Sequence, residues 1–219
     1  MMGRGFDDGF GSGMMGRSNR RDGYGAGMMG GRDISGVVKP LTVDEAKTAV
    51  DSYLATLNNS DLQLKEIMVF DNNAYARIVE KSTGTGALEL LVDPVTKSVY
   101  PEHGPNMMWN LKYSPMGSGG MMSGRGMMGG GASQYGTPLT TTVSDNTVTP
   151  EQALTAAQSY LDTNLAGDKT ATDADKFYGY YTIDILRDGK TVGMLSVNGF
   201  SSQVFVHAWH GTYIDMKEY

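Results

Sequence analysis

Methionine and histidine are the residues in this chain whose chemistry and spacing stand apart. The 219-residue sequence carries 16 Met, and 12 of them form six adjacent pairs: Met1–Met2, Met14–Met15, Met28–Met29, Met107–Met108, Met121–Met122 and Met127–Met128. Three pairs sit in one recurring motif, Gly-Ser-Gly-Met-Met-Gly at 11–16, Gly-Ala-Gly-Met-Met-Gly at 25–30 and Gly-Arg-Gly-Met-Met-Gly at 124–129. A thioether is soft and uncharged at every pH, so it suits Cu(I) or Ag(I) rather than Zn, Ca or Mg. Adjacent side chains of an extended strand point to opposite faces, so a pair chelates one ion only where Gly bends the chain or two pairs meet. Packing is the competing reading, because Met fits irregular surfaces and Gly lets backbones approach closely. Each motif also satisfies G-x-G-x-x-G, but no apolar strand precedes any copy and no helical pattern follows. A dinucleotide site is therefore set aside.

The chain has three histidines, His103, His207 and His210. Met107 and Met108 follow His103 closely, and a mixed His/Met set binds copper in either oxidation state, the imidazole favouring Cu(II). His207 and His210, three apart, face opposite ways in a strand and one way in a turn. A usable pair thus requires the strand to end near Ala208. The copper reading takes as ligands the paired methionines with His103, His207 and His210. The alternative has the imidazoles capping strand ends and stacking on Trp209 or Tyr100. Non-covalent haem held by Met and His is a third possibility.

Other chemistries find no support in the residues. There is no H-E-x-x-H and no G-x-S-x-G, and the absence of Cys excludes disulfides, thiolate metal sites, iron–sulfur clusters and covalently attached haem. The 24 Asp and Glu read as solvated charge scattered over helix faces and turns. The expectation is a protein without catalytic activity. A net charge of −6 with no concentrated basic stripe argues against nucleic acid. The longest apolar runs, 67–70 and 90–92, are too short to span a membrane.

The elements that must carry these residues are unevenly distributed. Residues 1–36 hold 12 Gly and six Met, and residues 114–138 hold nine Gly and five Met, with little Leu, Ile or Val. Neither stretch can build an ordinary apolar core. The layout is an arm (1–36), a domain (37–113), a linker (114–146) and a second domain (147–219). The two domains look like copies. At a common offset of 107, Thr42-Val-Asp-Glu-Ala46 matches Thr149-Pro-Glu-Gln-Ala153, Ser52-Tyr-Leu54 matches Ser159-Tyr-Leu161, and His103-Gly104 matches His210-Gly211. Each copy opens with a capping box, Thr42 with Glu45 and Thr149 with Gln152, and Pro150 stands at the first helical position. Apolar residues then recur at three- and four-residue steps, from Val43 to Leu57 and from Pro150 to Leu165. Alternating runs follow at 62–70, 74–81, 87–92 and 97–101, and at 177–187, 191–197 and 202–209, broken by turn chemistry such as Asp71-Asn72-Asn73 and Asp188-Gly189. These patterns predict an α+β fold of two domains, each one helix packed on a small antiparallel sheet.

That order resembles the PepSY domain. The likeness is carried by Leu41-Thr-Val-Asp-Glu-Ala-Lys47 with Ala87-Leu-Glu-Leu-Leu-Val-Asp-Pro94, and by Val148-Thr-Pro-Glu-Gln-Ala153 with Gly193-Met-Leu-Ser-Val-Asn-Gly199. The resemblance implies an exported protein, extracellular or at the cell surface, acting as an inhibitory or interaction module. PepSY domains occur in propeptides of thermolysin-type metallopeptidases, and the family has no catalytic residues to transfer. Met1-Met2-Gly3-Arg4 leads into no apolar core, so an exported chain is expected to be numbered from its mature start. The expected function is an exported, non-enzymatic homo-oligomer that assembles, as a filament, through its Met/Gly segments and binds copper through paired Met and nearby His. The alternative is a PepSY-type inhibitor of an extracellular metallopeptidase that works through its domains alone. Head-to-tail docking of an arm on the next subunit would generate an open polymer. Deleting residues 1–36 is therefore expected to leave soluble monomers with the remainder folded; light scattering on the truncated protein checks this, and unchanged oligomer size refutes it.

Overall fold

Thr42 starts the first helix by capping it. Its Oγ1 accepts the Glu45 N–H at 3.2 Å while the Glu45 carboxylate accepts the Thr42 N–H at 2.9 Å, two orphan donors satisfied reciprocally. Thr149 and Gln152 repeat the arrangement, with Pro150 where a missing N–H costs nothing. The computed structural model describes residues 38–114, 138 and 142–219. In chain order the elements are α1 (Val43–Leu57), β1 (Leu62–Phe70), β2 (Ala74–Glu80), β3 (Gly86–Val92), β4 (Val99–Pro101), one helical turn α2 (Pro105–Met108), α3 (Pro150–Asn164), β5 (Lys169–Thr170), β6 (Asp175–Phe177), β7 (Tyr180–Arg187), β8 (Lys190–Asn198), β9 (Val204–Val206) and β10 (Tyr213–Glu218). Among the described residues no helix is long and apolar enough to cross a membrane.

The expectation of two domains, each a helix on its own small sheet, is corrected. All ten strands belong to one mixed sheet, ordered β10-β1-β2-β3-β6-β7-β8-β9, with β4 added to β3 and β5 to β7. The physical reason lies at β3. Strand β4 pairs only with Leu90–Val92, leaving the Gly86 end of β3 open, and an open edge is a template for another strand. β6 takes it, in parallel, at Gly86↔Phe177. The other end is closed the same way: β10, beyond the last strand expected from the sequence, pairs antiparallel with β1. Gly36–Tyr219 accordingly forms one compact unit.

Side chains then divide by face. On one face α1 lays Ala46, Val50 and Leu57 over Ile67, Val69, Ile78, Leu88 and Leu90, and α3 lays Ala153, Ala157 and Leu161 over Tyr181, Ile183, Leu195 and Val197. Alternation puts Met68, Phe70, Tyr75, Leu91 and Met194 on the opposite face, where they form a third cluster. The sheet curls around it, so that β8 and β10, near opposite ends of the strand order, come into contact. This inner face is also polar: Glu66, Arg77, Glu89, Thr182 and Ser196 are all buried.

The seam between the halves is tight. Glu80 accepts bonds from Tyr113 and, at 2.5 Å, from Tyr178, and pairs with Lys112 at 2.6 Å. A Cβ on Gly86 would overlap the Phe177 ring, coming within 2.6 Å of three of its atoms, and that ring stacks on Tyr180 at 4.7 Å. Gly86→Ala forces that stack apart, and overpacking of this kind costs about 1–3 kcal/mol. Urea unfolding should show the loss in one transition, since a single sheet carries both halves.

Candidate metal centre

β4 hands Glu102 to the inner face. Its N–H donates to the Glu89 carbonyl at 2.8 Å, prolonging the ladder one residue beyond Pro101. On the other side β9 ends at Val206, the His207 N–H still donates to the Met194 carbonyl at 3.0 Å, and the chain turns at Ala208–Trp209. The turn brings both histidine rings to one side, centroids 6.0 Å apart. Asp71 and Asn72 hold it from the β1–β2 corner by accepting the Thr212 and Gly211 N–H groups at 3.0 and 2.8 Å. A Cβ on Gly211 would overlap Asp71.

The two rings converge on one carboxylate. His210 Nε2 lies 2.9 Å and His207 Nδ1 3.5 Å from Glu102 Oε1, and one ligand atom from each residue lies within 4.8 Å of the others. Side-chain exposure is 0 % for Glu102 and His207 and 1 % for His210. Trp209 Nε1–H donates to Glu102 Oε1 at 2.9 Å. Glu102 Oε2, His207 Nδ1 and His210 Nε2 have no hydrogen-bond partner; the short His–Glu distances bring the atoms together without donor–acceptor alignment. Phe70 stacks on His210 at 4.4 Å and Trp209 on His207 at 4.8 Å, closing the site with aromatic faces.

Hydrogen bonding decides where each ring carries its proton. Asn73 Nδ2 donates to the Trp209 carbonyl at 3.4 Å, which turns Asn73 Oδ1 toward His210 Nδ1 at 3.1 Å. An amide oxygen only accepts, so His210 Nδ1 is protonated and Nε2 presents its lone pair to Glu102. For His207 the chain starts at Glu89, fully buried, which accepts Tyr75 at 2.8 Å, Tyr180 at 2.7 Å and Thr182 at 2.7 Å. Thr182 has spent its proton, so Ser196, 3.1 Å away, donates to it and accepts from His207 Nε2–H at 2.9 Å. In the neutral ring His207 Nδ1 is thereby left as a lone pair facing the same carboxylate.

Two lone pairs against a buried carboxylate repel unless positive charge stands between them. A proton is one source. Burial works against imidazolium at His207, but the Glu102 charge and contact, and Glu89 beyond, raise its pKa nonetheless. Burial likewise disfavours ionised Glu102, yet His207 and His210 hold the carboxyl down, to about 2. Burial, reinforced by Glu102, pushes Glu89 up to about 7 against His207 and its own hydroxyl donors. A metal ion is the other source. Two imidazole nitrogens and a carboxylate oxygen are the donor types of Zn, Cu, Ni and non-haem Fe sites, and second-shell partners that fix the tautomer are what such sites use. The unpartnered buried atoms fit that group.

Of the residues expected to bind metal, His207 and His210 come together. His103 does not join them: it lies over the outer side of Trp209, centroids 4.0 Å apart, and burial lowers its pKa. Met107 and Met108 sit on α2, Met108 half exposed. Met1, Met2, Met14, Met15, Met28, Met29, Met121, Met122, Met127 and Met128 lie outside the described residues. Reading the carboxylates as solvated is corrected for Glu89 and Glu102, both 0 % exposed. For Glu89 a signal was present, a lone Glu inside the apolar run 87–92. A cleft of about 770 Å³ lies elsewhere, between the β7–β8 hairpin and the start of β10, lined by Arg187, Lys190, Val192, Thr212 and Ile214. Set against protein-family models, curated proteins and solved structures, the chain matches none of them.

The shifts set the stability profile of the metal-free protein. Glu102, depressed, contributes stability above its unfolded value that is lost as pH falls toward 2. Glu89, raised, keeps a proton that the unfolded chain has released, so stability declines as pH rises from about 4.5 to 7. His207, raised, adds to the decline above its unfolded value. Each such proton contributes at most about 1.4 kcal/mol per pH unit. Urea unfolding without metal should therefore peak between these limits and weaken toward pH 8, and Glu89→Gln should flatten the fall between pH 5 and 7.

Proposed function

We propose that this is a non-enzymatic metal-binding protein in which His207 Nδ1, His210 Nε2 and Glu102 hold a transition-metal ion, copper in our reading. The supporting observation is that both imidazoles converge on one buried carboxylate, with hydrogen-bond partners that leave each neutral ring a lone pair facing it. A bound ion would supply the missing positive charge and tie β4 of the first half to the β9–β10 turn of the second. All three side chains are buried, and the cleft beside the imidazoles holds only about 200 Å³, less than the roughly 300–1,000 Å³ of ordinary ligand pockets, which favours holding over turnover. Imidazole donors accommodate Cu(II), and the Met/Gly segments would add soft sites for Cu(I) and the contacts for assembly of an exported homo-oligomer, as a filament. The short motifs that resemble PepSY sequences remain the likeness that motivates export.

Titration of metal-free full-length protein with Co(II) and Cu(II), followed by absorption and calorimetry, tests the site. His207→Ala and His210→Ala should abolish high-affinity binding. Asn73→Ala, which removes only the partner that orients His210, should weaken it about 10–100-fold. Binding indifferent to these changes would refute the site, and copper well below one atom per chain in protein from its natural source would remove the copper assignment.

A further inference from the structure

Four of the 16 methionines stand outside the adjacent pairs: Met68, Met116, Met194 and Met216. Met116 lies outside the described residues. The other three, far apart in sequence, collect in a single cluster on the inner face together with Phe70, Tyr75 and Trp209, the three aromatic residues that pack on the histidine ligands. Phe70 stacks on His210, Tyr75 meets its edge at 6.0 Å, and Trp209 stacks on His207.

Strand register singles out one of the three. β8 and β9 pair at Leu195↔Val206 and Ser196↔Phe205, and the next step of the ladder is the His207 N–H donating to the Met194 carbonyl at 3.0 Å. Met194 and His207 are thus cross-strand neighbours. Ser196, two residues on and on the same face, receives the His207 Nε2 proton, so that face is the one the imidazole occupies. Directly opposite residues in an antiparallel pair have Cβ atoms about 4.5–5.5 Å apart, within reach of a long flexible side chain. Met194 is fully buried. Met68 pairs instead with Tyr75 and Met216.

We infer that Met194 supplies a thioether ligand to the ion held by His207, His210 and Glu102, and that it makes this centre selective for Cu(I). The inference rests on the metal site proposed above and names what the three harder donors lack. Two imidazoles and a carboxylate serve many divalent ions about equally well; a thioether adds affinity for a soft monovalent ion and little for a borderline divalent one. Three ligands also leave one position of a four-coordinate ion to be filled.

Full-length protein labelled with [13C-methyl]methionine is titrated with Cu(I), and separately with Co(II), and followed by methyl and imidazole resonances. Met194→Leu assigns the methyl signal and keeps the side-chain volume close to the original. Cu(I) should shift the Met194 methyl in step with the His207 and His210 ring signals. Met194→Leu should lower Cu(I) affinity at the histidines at least tenfold while leaving Co(II) affinity within about twofold, and Met68→Leu should change neither. Ring signals that respond while the Met194 methyl stays still would overturn the thioether ligand and leave the metal site standing. Equal losses in the Met194 and Met68 variants would assign both to packing and overturn it as well. Ring signals indifferent to both ions would remove the metal site and this inference with it.

Discussion

A carboxylate carried into a protein interior must find donors there, and Glu89 finds three. Tyr75 comes from the neighbouring strand of its own half, Tyr180 and Thr182 from β7 of the other. Leaving such a group unsatisfied costs several kcal/mol, and removing one donor exposes much of that cost. The first half therefore cannot bury β3 with its Glu unless the second half is in place. Because the donors are hydroxyls, the bonds have a direction, and the direction passes through Ser196 to His207. One buried carboxyl group thereby determines both how the halves meet and which nitrogen of a distant neutral ring is bare.

The merger of the sheets follows the same logic. Each half alone would present a helix-covered outer face and an inner face bearing Glu66, Arg77 and Glu89 or Thr182, Asp184 and Ser196. Those inner faces are too polar to pack on an apolar partner and too buried to be left to water. Facing each other, they are tied together: Arg77, paired with Glu66 of its own half at 3.3 Å, also reaches Asp175 across the seam. Burial and the neighbouring carboxylates push Asp184 up to about 7, with only Arg77 opposing.

Local structure was readable wherever a residue acts on its near neighbours. The capping boxes at Thr42 and Thr149, the helical stripes and most strand spans are decided within a few residues, and they lie where the patterns place them. Association of the strands was not readable, because the pairing of Gly86 with Phe177 depends on two residues 91 positions apart and on what β4 leaves uncovered. β10 was missed because Tyr-Ile-Asp-Met-Lys-Glu is mostly exposed and carries charge where a strand pattern would show apolar alternation. For the site, the spacing of His207 and His210 identified a pair conditional on a turn, and the turn is there. Their carboxylate partner was passed over because nothing within one strand distinguishes a Glu that faces water from one that faces two imidazoles.

The strand ladders make Glu102 and His207 counterparts: one N–H donates to the Glu89 carbonyl on β3, the other to the Met194 carbonyl on β8. Counterparts touch here: His207 Nδ1 lies 3.5 Å from Glu102 Oε1. This is the meeting pattern of a two-fold axis, in which residue i of one copy meets residue i of the other. A single ancestral module would have had to pair with its twin to build such a junction, and both sides would have been obliged to carry the same residue. Joining the copies in one polypeptide lifted that obligation. One side became an acid and the other an imidazole that faces it, an asymmetry that no assembly of identical modules can reach.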